Sequence, residues 1–447
     1  MRPAEDGEKA ASGPIGVLYG FRALMALLIC NYHIWQLGWL PQYFTVLGLP
    51  LNLDYVTRSG YLFVDGMLLL SGFLLYLPYA RQNAVGTPVP SLPRFYGNRL
   101  ARILPSYLLS VLGLLFFAAL PQGAYRDGAA AAKDIVTHLT FTFTFWKETY
   151  LYTPLNGALW TVAVEMQFYL IFPFLARASQ KRPVWTLTAM GALGIGFRAF
   201  LYFGAGPAAA LSAADGMNAG SAGFLSLAIL VNQMPAFLDV YALGMLGAIL
   251  YVSAHGLFRK LGRTWRYWGS WAALVVFGVS CTGIDSMLRI QSQNSQAGIE
   301  ALRLSQLLVR LPFALSMLWA VLGASLMPWF LQKLLGNRLM RLLAAISYNL
   351  YIWHQPLAAM IARDWFPDTL HSDLRLQRAY TVLCLSIAIL AAMAATFGVE
   401  QPAARLYRRF IEKQGRKEDN EGSQATKAGK TTDPILLRTE SRTAGAD

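Results

Sequence analysis

The sequence predicts an all-α protein, a polytopic bundle of about ten transmembrane helices with both termini in the cytoplasm. Three observations predict this fold class: an apolar composition, a series of long apolar segments, and a basic bias that alternates from loop to loop. Hydrophobic residues make up 55% of the chain and charged residues only 14%, whereas a soluble domain averages about 25% charged residues. The composition therefore argues against a soluble globular protein and favours a membrane protein.

The apolar segments are long enough to cross a bilayer, which requires roughly 20 apolar residues for about 30 Å of hydrocarbon. Ten segments meet this requirement, at 17–37, 60–80, 103–120, 158–176, 184–203, 235–254, 268–284, 306–327, 342–362 and 377–398. They define a transmembrane domain over 17–410, preceded by a cytoplasmic segment (1–16) and followed by a polar cytoplasmic tail (411–447) that is predicted to be disordered. The N-terminus lacks the features of a cleaved signal peptide, so we expect the first helix to be retained.

The loops between these segments differ in charge, which indicates the orientation of the bundle. One set carries 14 Lys and Arg and no acidic residue in 56 residues, and comprises 81–102, 177–183, 255–267 and 328–341. The alternate set carries 8 Lys and Arg and ten acidic residues in 125 residues, and comprises 38–59, 121–157, 204–234, 285–305 and 363–376. The basic set is therefore predicted to be cytoplasmic. Because this location accounts for much of the net charge of +14, we expect a multi-pass protein of the cell membrane with the lipid bilayer, and no nucleic acid, as its partner.

Two further patterns are less informative. The segment TFTFTFW at 140–146 alternates as a strand or an interfacial segment does. The three cysteines, Cys30, Cys281 and Cys384, lie far apart without zinc-ligand spacing. No metal site is predicted.

Ionisable residues inside a span are costly, so each is a candidate functional residue. Arg22 and His33 are eleven residues apart, which places them on one helix face about 16 Å from each other. Glu165 lies in another span. An anchoring role for Arg22, a packing role for His33 and a structural hydrogen bond for Glu165 are the alternatives.

A third helix carries a polar stripe of Ser347, Tyr351 and His354, spaced i, i+4 and i+7. His33, Glu165 and His354 lie at depths of about 6, 10 and 12 Å below the predicted external edge, so they can meet. A histidine beside a carboxylate is a good general base for a hydroxyl proton. The stripe is equally compatible with a purely structural seam.

The predicted cytoplasmic mouth is basic. The segment RFYGNRLARILPSY (94–107) places Arg99 and Arg102 as i, i+3 neighbours at a helix start. Guanidinium groups bind phosphate through paired hydrogen bonds, so these residues favour a phosphorylated ligand. The alternative is ordinary anchoring by positive charge at the cytoplasmic face.

At these residues the chain resembles the acyltransferase 3 family of multi-pass membrane O-acyltransferases. Arg22 to His33 matches the R-x10-H motif of that family, and the segment 94–107 matches its R-x-x-R-I-x-P-x-Y block. FVDGMLLLSGFLLY resembles its second-helix signature FFxxSGF, and LWTVAVEMQFYLIFP resembles LWSLxVExQFY. ISYNLYIWHQP resembles ISYxLYLWHxP, and FGVEQPAARL resembles the terminal E-x-P block. These blocks occur in order over 15–405.

The resemblance implies transfer of an acyl group, acetyl by default, from cytoplasmic acyl-CoA to a hydroxyl of a cell-surface or lipid-linked carbohydrate. Acyl-CoA would be a donor substrate, and no tightly bound cofactor is implied. His33 would be the catalytic base and Glu165 its partner, with Ser347, Tyr351 and His354 in support. Arg22, Arg99 and Arg102 would contact the CoA phosphates.

The chain departs from the family pattern at Gly66 and Met67, where aromatic residues are common, and at Gln355, which follows His354. Some relatives also carry an appended extracellular hydrolase-like domain. A transporter or flippase of a lipid-linked sugar is the alternative function, although no inverted repeat or pair of broken helices favours it. A non-enzymatic scaffold would not explain why the ionisable residues His33 and Glu165 occur inside membrane spans.

Overall fold

A computed structural model describes residues 15–38, 43–46, 49–203, 229–366, 373–411 and 413. Within these residues the protein is an all-α helical bundle with a two-stranded antiparallel hairpin, β1 (Tyr43–Val46) and β2 (Leu49–Asn52). The predicted N-terminal segment and polar tail fall almost wholly outside the described residues, as does most of the predicted loop 204–234.

The helices follow in chain order. They are α1 (Val17–Gly38), α2 (Asp54–Arg58), α3 (Phe63–Val85), α4 (Leu92–Leu114), α5 (Gly128–Leu139), α6 (Lys147–Tyr150), α7 (Trp160–Lys181), α8 (Pro183–Phe203), α9 (Leu238–Lys260), α10 (Arg263–Ala297), α11 (Ile299–Leu308), α12 (Arg310–Leu326), α13 (Trp329–Leu335), α14 (Arg338–Trp365) and α15 (Leu374–Ala395). π-helical turns extend α4 at Leu115–Ala119 and α15 at Thr396–Glu400.

The predicted multi-pass architecture is confirmed. In the described part of the chain, eight helical segments are long and apolar enough to cross a membrane, and a ninth span results if α11 and α12, bent by 41°, count as one. The remaining predicted span, 342–362, lies in α14, which is 28 residues long and therefore reaches about 42 Å. α14 is less apolar than the others because it carries the polar stripe that faces the interior of the bundle.

The loop expected at 285–305 and the strand alternative at 140–146 are wrong. The predicted external loop 285–305 is largely helical, because α10 continues for 35 residues, about 52 Å, which exceeds the hydrocarbon thickness. The alternating segment TFTFTFW forms no strand but a 3-10 turn at Phe143–Phe145. Phe143 is fully buried there and stacks on the ring of His138, so tertiary packing overrides the alternation.

The helices that surround the interior pack closely. α3 and α9 cross where Gly72 lies against the backbone of Tyr241 and Gly244 lies against that of Leu69. A Cβ atom at either glycine would stand less than 3 Å from the facing backbone. Small residues allow such close helix contacts in a membrane, so this crossing fixes the position of α3 in the bundle.

A polar anchor holds α7 against α14. Pro356 lies inside α14 and has no N–H group, which leaves the carbonyl of Ile352 without its helical donor. The Asn156 side chain donates to this carbonyl at 2.7 Å and also to Ser110 of α4 at 3.0 Å. Asn156 also caps the turn that leads into α7, through Ala158 N at 3.1 Å. Through Asn156, the carbonyl left free by Pro356 in α14 is therefore connected to the turn at the start of α7.

Candidate functional site

A cavity of about 300 Å³ lies inside the bundle between α1, α3, α4, α7 and α14. Most of the polar residues singled out from the sequence line it. They are Arg22, Arg99, Arg102, Glu165, Ser347 and Tyr351. Residues far apart in the chain are thus brought to one interior surface, in the size range of small-molecule pockets.

One end of the cavity is basic, and we name it the arginine end, defined by Arg22, Arg99 and Arg102. Arg22 is half-buried and donates from Nε to Ser347 Oγ at 2.8 Å. The Arg99 guanidinium lies 5.6 Å from the ring centre of Tyr169, a cation–π distance. Arg99 Nε is buried and makes no hydrogen bond within the described part of the chain. The arrangement leaves donors for an anionic ligand.

Glu165 lies in the middle of the cavity wall. Its Oε1 accepts a hydrogen bond from Ser71 Oγ of α3 at 2.5 Å and another from the hydroxyl of Tyr169, one turn along α7. Thr161, one turn before Glu165, also lines the cavity. α7 therefore contributes a continuous polar row that runs from Tyr169 beside Arg99 to Thr161.

The other end of the cavity lies beside a pair of histidines, and we name it the histidine end, defined by His33 and His354. His33 Nδ1 and His354 Nε2 are 3.0 Å apart, which joins α1 to α14. Tyr351 lines the cavity, and its ring centre lies 5.5 Å from that of His354. Ile29 also lines the cavity, one turn before His33 on α1.

The backbone around the histidines specifies where their protons lie. Each Nδ1 faces the carbonyl four residues earlier: Ile29 O at 3.1 Å for His33, and Leu350 O at 3.2 Å for His354. A carbonyl oxygen only accepts, so both Nδ1 atoms carry hydrogen in the neutral rings. His33 Nδ1–H then donates also to the lone pair of His354 Nε2. The lone pair of His33 is left on Nε2, which is the nitrogen able to act as a base.

The predicted site residues thus meet in part. Arg22, Arg99 and Arg102 share one end of the cavity, and Ser347 and Tyr351 line it. His33 contacts His354 directly. Neither histidine is among the residues that line the cavity. No hydrogen bond joins His33 to Glu165 within the described residues, and Glu165 Oε1 instead accepts from Ser71 and Tyr169. The His33–Glu165 pair stays a prediction.

Some polar residues at the site carried no predicted role. Ser71 holds Glu165, and its only sequence signal was a hydroxyl in an apolar run. Asn349 donates from Nδ2 to Glu400 Oε2 at 2.7 Å and to Thr396 at 2.9 Å. Glu400, from the terminal E-x-P block, also attracts Arg22 and Arg102 electrostatically. The π-helical turn at Thr396–Glu400 places this carboxylate beside the arginine end.

Comparison with known proteins identifies a family for most of the chain and relatives for part of it. A family model described as an acyltransferase domain matches residues 17–397. Acyltransferase MdmB of Streptomyces mycarofaciens is 30% identical over 173 residues, which cover 37% of this chain and 40% of that protein. A protein of Staphylococcus aureus strain COL, named as a candidate O-acetyltransferase, is 27% identical over 168 residues. These cover 35% of this chain and 24% of that protein.

The chain therefore spans less than half the length of these curated relatives in the matched regions. No solved structure matches it significantly. The family model, in contrast, covers nearly the whole helical bundle and every residue of the cavity wall. The chain belongs to the acyltransferase 3 family.

Proposed function

We propose that the protein is a membrane O-acyltransferase that moves an acyl group from acyl-CoA to a hydroxyl of a cell-surface or lipid-linked carbohydrate. The observation that carries the proposal is a cavity lined by three arginines, with a histidine pair one helical turn beyond its lining residues Ile29 and Tyr351. Membership of an acyltransferase family supports the group-transfer chemistry. The name of the S. aureus relative supports oxygen as the accepting atom and acetyl as the default group.

The arginine end fits the phosphates of CoA. Three guanidinium groups converge there, and the planar fork of arginine binds two phosphate oxygens at once. Arg22 and His33 lie on one helix face, eleven residues and about 16 Å apart. A donor with its phosphates on the arginines therefore extends its flexible arm along α1 toward His33. By the charge bias of the loops, the arginine end is the cytoplasmic one.

His33 is the proposed general base. Its Nε2 removes the proton of the acceptor hydroxyl as that oxygen attacks the thioester carbonyl carbon. A C–O ester bond forms, the C–S bond breaks, and the sulfur leaves as the thiolate of CoA. The proton held on His33 then passes to that thiolate. His354 accepts the Nδ1–H of His33 and so keeps the lone pair on Nε2.

Glu165 would assist from the cavity wall. Its position between the arginine end and the histidine end suits contact with the amide groups of the donor arm. Direct pairing with His33 would require the two side chains to approach when substrate binds, with Glu165 Oε2 as the oxygen that Ser71 and Tyr169 do not bond. Removal of Glu165 therefore tests both roles together.

The first test compares surface glycans, by mass spectrometry, from cells with the intact gene, a deletion, His33→Ala or Gln36→Ala. Gln36 lies one turn beyond His33 on α1 and bonds only Tyr32 among the described contacts, so it is the matched control. We expect one acyl mass per modified site in the intact and Gln36→Ala cells, and its loss in the other two. General-base removal costs about 10²–10⁴-fold in rate.

Acylation that survives His33→Ala would overturn the base assignment. No change in acylation in any of the four samples, with a lipid-linked precursor accumulating inside the deletion cells, would favour the flippase instead. No inverted repeat in the sequence supports that alternative.

A further inference from the structure

The cavity changes character toward the histidine end. Its wall there is apolar and comes from three helices: α1, α3 and α7. The side chains are Ile29, Val64, Met67, Leu68 and Val162. An apolar lining suits an apolar ligand group, whereas the arginine end and the row around Glu165 suit charged and polar ones.

The packing of α3 on α1 fixes where these side chains lie. Gly60 lies against Leu28 and Tyr32, and Gly66 lies against Met25. The stretch of α3 from Val64 to Leu68 therefore runs alongside the part of α1 between Arg22 and His33. Ser71, which bonds Glu165, comes one turn later toward the arginine end. Gly60 is thus level with the turn of α1 just before His33, and the apolar wall extends from there past Met25 toward Ser71 and Glu165.

Met67 is the adaptable member of this wall. It lines the cavity and is half-buried. Next to it, Gly66 has no side chain, and Met25 Sδ and Met317 Cε lie within 3 Å of where a Cβ would stand. Methionine is unbranched and fills irregular gaps, so a wall built from three methionines can repack. An aromatic residue at Met67 would be larger and rigid.

We propose that this apolar wall is the acyl pocket and that Met67 sets the length of acyl chain accepted. The inference rests on the proposed function, in which the donor enters from the arginine end. With the thioester near His33, the acyl tail can bury its methylenes among Ile29, Val64 and Met67. The pocket selects short unbranched aliphatic acyl groups and disfavours acyl groups that end in a carboxylate, since no cation lines this part of the cavity.

The test measures binding of stable CoA thioethers to the full chain in lipid nanodiscs by titration calorimetry. The probes are free CoA and its S-ethyl, S-butyl, S-hexyl and S-octyl derivatives, which lack the reactive carbonyl. We expect the wild type to bind the ethyl or butyl thioether best and the octyl thioether at least tenfold more weakly. Each methylene that fits the pocket should tighten binding about fourfold.

Two variants of Met67 and a matched control locate the pocket. Met67→Ala should move the preferred chain about two methylenes longer and tighten octyl binding by roughly tenfold. Met67→Phe should leave only the ethyl thioether bound well. Leu74→Ala is the control, because Leu74 lies seven residues further along α3 on the same face, about 10 Å nearer the arginine end. It should keep the wild-type order of chain lengths.

The outcomes separate the two proposals. If free CoA and every thioether fail to bind the wild type, the CoA donor and with it the proposed function are wrong. If CoA binds but chain length has no effect on affinity, the assignment of the acyl pocket is wrong. The same holds if Met67→Ala and Leu74→Ala shift the preferred chain length alike. In both cases the assignment of acyl-CoA as the donor is retained. A shift confined to the Met67 variants supports the pocket.

Discussion

His33 and His354 are the same residue type but sit in different environments. His354 is fully buried, and its two ring nitrogens face Leu350 O and His33. His33 is half-buried, and its Nε2, unlike its Nδ1, takes part in no hydrogen bond among the described residues. His33 is therefore suited to be a catalytic residue, and His354 a positioning residue that fixes the tautomer of His33.

This division of roles predicts different effects for two amide substitutions at His354. In His354→Gln, the side-chain oxygen can take the place of Nε2 and still accept the Nδ1–H of His33. In His354→Asn, the amide reaches only the place of Nδ1, so that contact is lost. We expect kcat to fall about 10- to 100-fold in the Asn variant, less than on loss of the base itself, and to be largely retained in the Gln variant.

The measurement is the pH profile of kcat and the KM for acyl-CoA in both variants. The KM should stay near the wild-type value, because the arginine end is untouched. The pH profile of the Asn variant should change shape, since its base has lost its hydrogen-bond partner. Equal activity of the two variants, or an effect on KM alone, would show that His354 does not position His33.

At the scale of helices, two buried ion pairs lie outside the cavity wall. Arg198 of α8 pairs with Asp239 of α9 through two bonds of 2.7 Å. Arg310 of α12 lies 3.0 Å from Asp65 of α3. All four side chains are buried in the bundle. They join four helices that carry or flank the apolar wall, so their role is to hold these helices in register.

Asp239→Asn should therefore lower the thermal stability of the detergent-solubilised protein, because it leaves the buried guanidinium of Arg198 uncompensated. Breaking one partner of such a pair costs about 3 kcal/mol or more. The double variant Arg198→Met with Asp239→Asn should recover part of the loss, since no buried charge then lacks its partner. Arg126→Ala, in an exposed pair with Asp127, should cause no measurable shift in Tm.

A fall in Tm for the double variant equal to that for Asp239→Asn would mean that packing, and not charge pairing, stabilises this crossing. The sequence alone names no partner for Asp65 or Asp239. Their partners lie more than 40 residues away, at Arg198 and Arg310. Only the packing of the helices shows these pairs.

For the whole molecule, the charge bias of the loops sets the expected orientation, with the arginine end in the cytoplasm. Two exposed positions test it. Ser91 precedes α4 in a basic loop, and Gln122 follows α4 in a loop without net charge. In a Cys281→Ala background, Gln122→Cys should react with a membrane-impermeant maleimide on intact cells. Ser91→Cys should react only after permeabilisation.

The reverse labelling pattern would show that the bundle has the opposite orientation. The arginine end would then face the outside of the cell, and cytoplasmic acyl-CoA could not enter there. Labelling of both positions on intact cells would mean that α4 does not span. The background substitution is needed because Cys281 is exposed, whereas Cys30 and Cys384 are buried.

By itself the sequence determined the fold class, the family and several of the polar residues that line the cavity, among them Arg22, Arg99 and Glu165. It could do so because the lipid bilayer requires long apolar segments and makes charges inside them rare. Both features can be recognised within a single short segment of the sequence. The spacing of Arg22 and His33 on one helix face follows in the same way from helical geometry. The polar stripe of α14 was equally visible in the sequence.

Only the tertiary structure decided which of these residues touch. Depth along the membrane left His33 free to meet Glu165 or His354, because a position on one helix says nothing about the rotation of its neighbours. The packing of α1 on α14 brings His33 Nδ1 within 3.0 Å of His354 Nε2. The packing of α3 on α7 places Ser71 where it donates a hydrogen bond to Glu165. The position of Met67 in an apolar wall of the cavity, beside Met25 of α1, follows from contacts of the same kind between helices. Such contacts depend on how side chains from different helices fit together, which no single helix specifies.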